Sequence, residues 1–177
     1  IAPDEIVKKG LMKGMGIIGD KFGEGKAFIP ELLIAAKAMN ASMEHLKVYY
    51  EKGEIQHLGT FVLGTVTGDL HDIGKNIVRM VLEGDGWKVV DLGNDVEPEK
   101  FLNALQENPG AHVGLSALLT TTMVNMEIIT KKIKSEYPGT KVFIGGAPVT
   151  DEFSSAIGAD GYFEDPHHLS KYLAGCL

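Results

Sequence analysis

The sequence is poor in cysteine: Cys176 is the single copy in 177 residues. That excludes an intrachain disulfide and any Cys-cluster zinc or iron-sulfur site, and fits a reducing cytoplasm. Long apolar runs are missing as well. The longest, FVLG at 61–64, GLSALL at 114–119 and VFIGG at 142–146, fall well short of the ~20 residues that cross a bilayer. The opening IAPDEIVKKG has no basic start, apolar signal core or small-residue cleavage site. A surplus of base is also lacking, since 24 acidic against 17 basic side chains leave a net charge of −7. This disfavours nucleic acid and membrane surfaces as partners, because phosphate binding draws on clustered Lys and Arg. No internal repeat or low-complexity tract is present.

The chain is 44% hydrophobic and 23% charged, long enough for one domain or two small ones. Two patterns of apolar residues divide it. Ile6, Val7, Leu11, Met15 and Ile18, then Leu32, Leu33, Ala36, Met39, Met43 and Leu46, recur at helical spacing. Asp4 stands as the N-cap of the first helix, and Pro30 opens a later one at Glu31. The polar stretch EKGEIQH (51–57) is the expected linker. Beyond it the period changes: TFVLGTV (60–66), WKVVDLG (87–93), VGLSALL (113–119), KVFIGG (141–146) and GYFE (161–164) read as strands alternating with helices. The expected architecture is a helical domain over residues 1–53 and, over 58–177, an α/β domain with a five-stranded parallel doubly wound sheet. Such a sheet binds ligands at the carboxyl ends of its strands, beside the topological switch point.

The expected strand ends hold an unusual set of residues. The first leads into TGDLHDIGKNIV (67–78), which puts Asp69, His71 and Asp72 on one loop. An Asp two residues before a His can hold one imidazole nitrogen while the other faces a metal. For an isolated D-x-H, a capping Asp beside a solvent-facing His is the commoner situation. The third strand runs into SALLTTT (116–122), small and hydroxylic where a buried parallel strand would continue with Val or Ile. After the fourth, Gly145 and Gly146 remove side chains where another group could approach the backbone. A His-bearing loop, a hydroxyl-rich loop and a side-chain-free loop around one crevice suggest a long ligand that inserts between strands.

GDLHDIGKNIV with GLSALLT and IGGAPV resembles the cobalamin-binding signature of the corrinoid proteins of methyltransferase systems and of the cobalamin module of methionine synthase. GMGIIGDKFGEGKAFIPELLIAAKAMNASMEHL (14–46) is similar to the small helical cap of the same proteins. The resemblance implies a flavodoxin-like cobalamin domain and a base-off, His-on cofactor: His71 as lower cobalt ligand, Asp69 on its second nitrogen, and Thr122 extending the relay. It implies that Gly68, Leu70, Asp72, Ile73 and Gly74 contact the cofactor around His71. Ser116, Leu118, Thr120, Gly145 and Gly146 would line the nucleotide tail, with the stretch from Tyr162 to Pro166 at its edge. Phe22, Ile29 and Leu32 match cap positions that cover the corrin, although apolar residues at helical spacing are usually core. The implied cofactor is cobalamin or a related corrinoid, alternating between methylcobalamin and cob(I)alamin. The implied partners are a substrate-specific methyltransferase, a second methyltransferase acting on tetrahydrofolate, tetrahydromethanopterin or a thiol, and a reductive-activation protein.

Caps of this family usually contain four helices, and the chain begins at what looks like the second. A second copy supplying the missing surface, through a stripe along Ile6, Met15 and Leu33, would give a homodimer. A receiver domain shares the strand order but needs an Asp where Ser116 stands and a Lys where Gly145-Gly146 stand. A metal-dependent phosphohydrolase using His71 and Asp72 lacks histidines at the other strand ends, His167-His168 reading as a solvated pair. The small cobalamin-binding subunit of an adenosylcobalamin-dependent mutase also carries D-x-H-x-x-G but lacks the helical cap. Cobalamin-responsive regulators would need a DNA-binding helix pair for which the chain has no room.

Overall fold

Helical periodicity at the start of the chain produces helices with buried apolar stripes. The computed structural model describes residues 1–175; Cys176 lies outside the described residues. Pro3 opens α1 (Pro3–Glu5), where a missing N–H costs nothing. The cap position falls to Ala2, so Asp4 sits inside the first turn instead, where its charge favours the amide end of the helix. A π-helical stretch, Ile6–Met12, runs on into α2 (Lys13–Gly23). α3 (Ile29–Glu51) starts two residues before the expected Glu31, with Pro30 in its first turn, and the Phe28 N–H donates to the Glu31 carboxylate at 2.7 Å, which satisfies an otherwise orphaned amide. Val7, Met15, Leu32, Ala36, Met39 and Leu46 are all buried. Of the stripe expected along Ile6, Met15 and Leu33, Met15 is 4% and Ile6 40% exposed, and Leu33 is half-buried.

From residue 60 the chain alternates: β1 (Thr60–Thr65), α4 (Ile73–Gly84), β2 (Lys88–Asp91), α5 (Pro98–Glu107), β3 (His112–Ser116), a 3₁₀ turn at Thr120–Thr122, α6 (Met123–Glu136), β4 (Val142–Gly145), α7 (Asp151–Ile157) and β5 (Gly161–Tyr162). The five strands form one sheet in the order β2-β1-β3-β4-β5, the flavodoxin-like arrangement that the resemblance implies. β1 and β3 pair in parallel with Thr65 opposite Ser116, and β3 and β4 with Ser116 opposite Gly145. Phe61, Val62 and Leu63 of β1 and Val113 and Leu115 of β3 are buried, as a parallel sheet covered on both faces requires. The connections diverge between β1 and β3. The switch point therefore lies where Thr65 and Ser116 end their strands.

α8 (Pro166–Ala174) ends the described chain. The described residues group into two units, one of 59–79 with 89–165, the other of 1–58 with 80–88 and 166–175. This departs from the expected division at 53–58: the second half of α4 and all of α8 belong with the helices. The reason is apolar demand. α2 and α3 cannot cover their own stripes, and Val81, Leu82, Leu169 and Leu173 supply further buried apolar side chains in that unit. His167 is 7% exposed, not solvated, because Gly19 and Gly23 clear space for its ring; a Cβ at either would stand 2.8 Å from the imidazole. His168 remains exposed.

Candidate functional site

The loop after β1 is organised around one buried carboxylate. Asp69 has no exposed surface, and five donors converge on it. Oδ1 accepts from the His71 N–H at 3.0 Å and meets His71 Nδ1 at 2.7 Å. Oδ2 accepts from the amides of Leu118 at 2.7 Å and Leu119 at 3.2 Å, and from the Thr122 hydroxyl at 2.9 Å. Burial pushes the Asp69 carboxyl up, but the hydrogen bonds from His71, Leu118 and Thr122 outweigh it and hold the group well below the usual carboxylate range.

An ionised carboxylate only accepts hydrogen bonds. The hydrogen of the neutral imidazole therefore belongs on Nδ1, which leaves the Nε2 lone pair available. The His71 side chain is 52% exposed, so a buried anion orients a ring whose other nitrogen is open to a ligand.

The flanking residues fit a large, mostly apolar partner. Leu70 is 73% and Ile73 77% exposed on the same loop, and Leu118 and Leu119 are exposed on the loop after β3. Large apolar side chains left open around one imidazole mark a binding surface. Among the described residues, no group of three His, Cys, Asp or Glu side chains is placed to hold a metal ion. That leaves the phosphohydrolase reading without a ligand set. A single imidazole suits a metal whose remaining positions are filled by a macrocycle.

The other expected positions divide. Gly68, with φ +82, makes the turn into the loop. Asp72 is half-buried, and its carbonyl accepts from Asn76 N–H at the start of α4. Gly74 is exposed, with nothing near a Cβ built on it. Ser116 lies in register between Thr65 and Gly145, and Thr120 is exposed at the start of its turn. Gly146 needs its missing side chain for a reason internal to the chain: at φ +132 a Cβ would fall 1.8 Å from the Ala117 carbonyl oxygen. Gly145 is open by comparison, a Cβ meeting only the Phe163 carbonyl at 3.5 Å. In the helical unit Ile29 is 45% exposed and Phe22 half-buried, but Leu32 is 2% exposed and ordinary core packing accounts for it. The sequence reading missed the Leu119 amide on Asp69, the Thr65 hydroxyl that donates to the His71 carbonyl at 2.9 Å, and Asn125 Nδ2, which donates to the Thr67 carbonyl at 2.7 Å. A hydroxyl on the last residue of β1 and an amide early in α6 were the available signals.

Comparison with known proteins accords with this geometry. A family model described as B12 binding domain matches residues 59–169, and a second with the same description matches residues 1–47. The chain is 44% identical over 168 residues to trimethylamine corrinoid protein 1 of Methanosarcina acetivorans, covering 93% of this chain and 78% of that protein. A solved cobalamin-binding protein from Desulfitobacterium hafniense DCB-2 superimposes with a TM-score of 0.81 at 34% identity, over 99% of this chain and 83% of the other. A chain of the methanol:cobalamin methyltransferase complex of Methanosarcina barkeri does so with a TM-score of 0.86 at 32% identity, over 98% and 68%.

Proposed function

Since the chain belongs to the B12-binding domain family, as a corrinoid protein of the methyltransferase-cognate kind, we propose that it is a methyl carrier. It takes a methyl group from a substrate-specific methyltransferase and delivers it to a second methyltransferase that acts on tetrahydrofolate, tetrahydromethanopterin or a thiol. Methylamine and methanol systems, for which the relatives are named, indicate the class of donor.

The observation that supports this reading best is the buried, five-fold hydrogen-bonded Asp69 behind a half-exposed His71. His71 Nε2 would bind the cobalt in place of the cofactor's own lower base. The bound corrinoid would supply the cobalt–carbon bond that holds the methyl group. The protein's work is positional. Asp69 keeps the hydrogen on Nδ1 and fixes the ring plane, so the imidazole would present Nε2 to the cobalt in one orientation. Thr122 and the Leu118 and Leu119 amides hold Asp69 in turn. Leu70, Ile73, Leu118 and Leu119 offer apolar surface to the macrocycle and exclude water beside it. Ser116, Thr120 and Gly145 would accommodate the nucleotide tail along the ends of β3 and β4, with Gly74 allowing approach at the start of α4. Ile29 and Phe22 are the candidates for covering the corrin's upper face.

The test is direct. Purified apoprotein is mixed with hydroxocobalamin, freed of unbound cofactor by gel filtration, and its visible spectrum compared with that of His71→Ala. Retained cobalamin with a base-off, His-on spectrum, altered or lost in the variant, is the expected result. Well-folded wild type that retains none overturns the reading.

A further inference from the structure

The segment leaving β2 grips the His71 loop at both ends. On the α4 side, the buried Lys75 ammonium donates to both Asp91 oxygens at 2.7 and 2.8 Å, and Asp91 Oδ1 also accepts from the Gly93 N–H at 3.0 Å. On the β1 side, Gly68 N–H donates to Asp95 Oδ1 at 2.7 Å, Asp95 N–H donates to the Asp69 carbonyl at 3.0 Å, and Asn94 Nδ2 donates to the Leu70 carbonyl at 3.0 Å. All three residues that precede His71 are thus held by Asn94 and Asp95. Asp95 takes φ +53, the only positive φ of a non-glycine residue among the described residues. Asp and Asn tolerate that conformation better than other side chains, and such a position persists where its surroundings over-determine it.

We propose that Asp95 is a positioning residue for His71. Its carboxylate and amide pin the backbone on either side of the Asp69 Cα, and so fix the origin from which the Asp69 side chain aims the imidazole. The role rests on the reading of His71 as the axial ligand. The geometry it protects is narrow: the Oδ1 to Nδ1 contact of 2.7 Å weakens steeply once a hydrogen bond stretches or bends. A brace that served the loop alone would leave the ring indifferent to Asp95, and this difference is measurable.

The full chain, loaded with cobalamin and reduced to the cob(II) form, is examined by electron paramagnetic resonance for the nitrogen splitting of an axial imidazole. Asp95→Gly keeps the backbone conformation and removes the acceptor. It should lower the ratio of His-on to His-off cobalamin about tenfold, the scale of one hydrogen bond to a charged group. Asp95→Asn keeps both an acceptor oxygen and the tolerance of positive φ and should restore the wild-type spectrum. Asn94→Ala, a milder change, should fall between. Wild-type splitting in Asp95→Gly overturns the proposal. If wild type itself retains no cobalamin, the axial-ligand reading fails, and amide exchange in the apoprotein decides the role of Asp95. Faster exchange at both Gly68 and His71 in Asp95→Gly upholds it, whereas faster exchange at Gly68 alone overturns it.

Discussion

At the scale of single residues, two glycines that look alike in the sequence do different work. Gly146 combines φ +132 with a Cβ position 1.8 Å from the Ala117 carbonyl oxygen. Gly146→Ala should therefore cost more than about 3 kcal/mol, overpacking and backbone strain adding together, while Gly145→Ala should cost less than about 1 kcal/mol. Urea unfolding midpoints of the two variants check the contrast. Thr122 makes a second case, because its hydroxyl donates to a buried anion. Thr122→Val should destabilise the fold by about 1.5–3 kcal/mol, the range for hydrogen bonds to charged groups, and Thr122→Ser should recover most of that. Loss in Thr122→Ser with none in Thr122→Val would mean that the methyl group, not the hydroxyl, matters. The D-x-H spacing offered the Asp69–His71 pairing as one of two readings, since residues two apart on one loop can meet locally, and the resemblance chose between them. The Leu118 and Leu119 amides were not: every residue has a backbone N–H, and only the path of the chain after β3 aims these two at Asp69.

Among the elements, the strands were the most readable. Buried parallel strands must be continuous apolar runs, and TFVLGTV, VGLSALL and KVFIGG became β1, β3 and β4 within a residue or two at most ends. The amino end of the sheet carries stability away from the site. There Asp160 accepts from the Val142 N–H at 2.7 Å and from Lys141 Nζ at 3.2 Å, and pairs with Lys134. Burial pushes the Asp160 carboxyl up, but Lys134, the Val142 amide and Lys141 outweigh it and hold it below its ordinary value. An acid lowered in the folded state stabilises the fold above its unfolded pKa and loses that contribution as pH falls through the folded value. Asp160→Ala should thus cost about 1–3 kcal/mol at pH 7, and the difference from wild type should shrink below about pH 4. The visible spectrum of bound cobalamin should not change, because the substitution lies at the opposite end of the strands from His71. Melting curves across the pH series, read beside the spectrum, test both parts.

For the whole molecule, binding and stability are linked. A cofactor that binds only the folded chain, at 100 times its dissociation constant, adds about 2.7 kcal/mol. For a chain of this size that corresponds to a rise in Tm of roughly 5–10 °C. Hydroxocobalamin should produce such a shift in calorimetry and a clearly smaller one in His71→Ala. An equal shift in both would remove His71 from the binding energy. Among the described residues no helix is long and apolar enough to cross a membrane.

The sequence by itself determined the class of fold, the places of the strands along the chain and the loop that bears the chemistry, because apolar periodicity and short-range spacing are local properties. Tertiary structure decided three things that no local pattern encodes. Residues 80–88 and 166–175 joined the helical unit, since apolar stripes are covered by whichever side chains the fold brings near. His167, adjacent in sequence to an exposed histidine, was buried by two glycines on a helix more than 140 residues earlier. Asp69 became an anion clasped by the loop after β3, because a buried charge persists only where distant backbone converges to satisfy it.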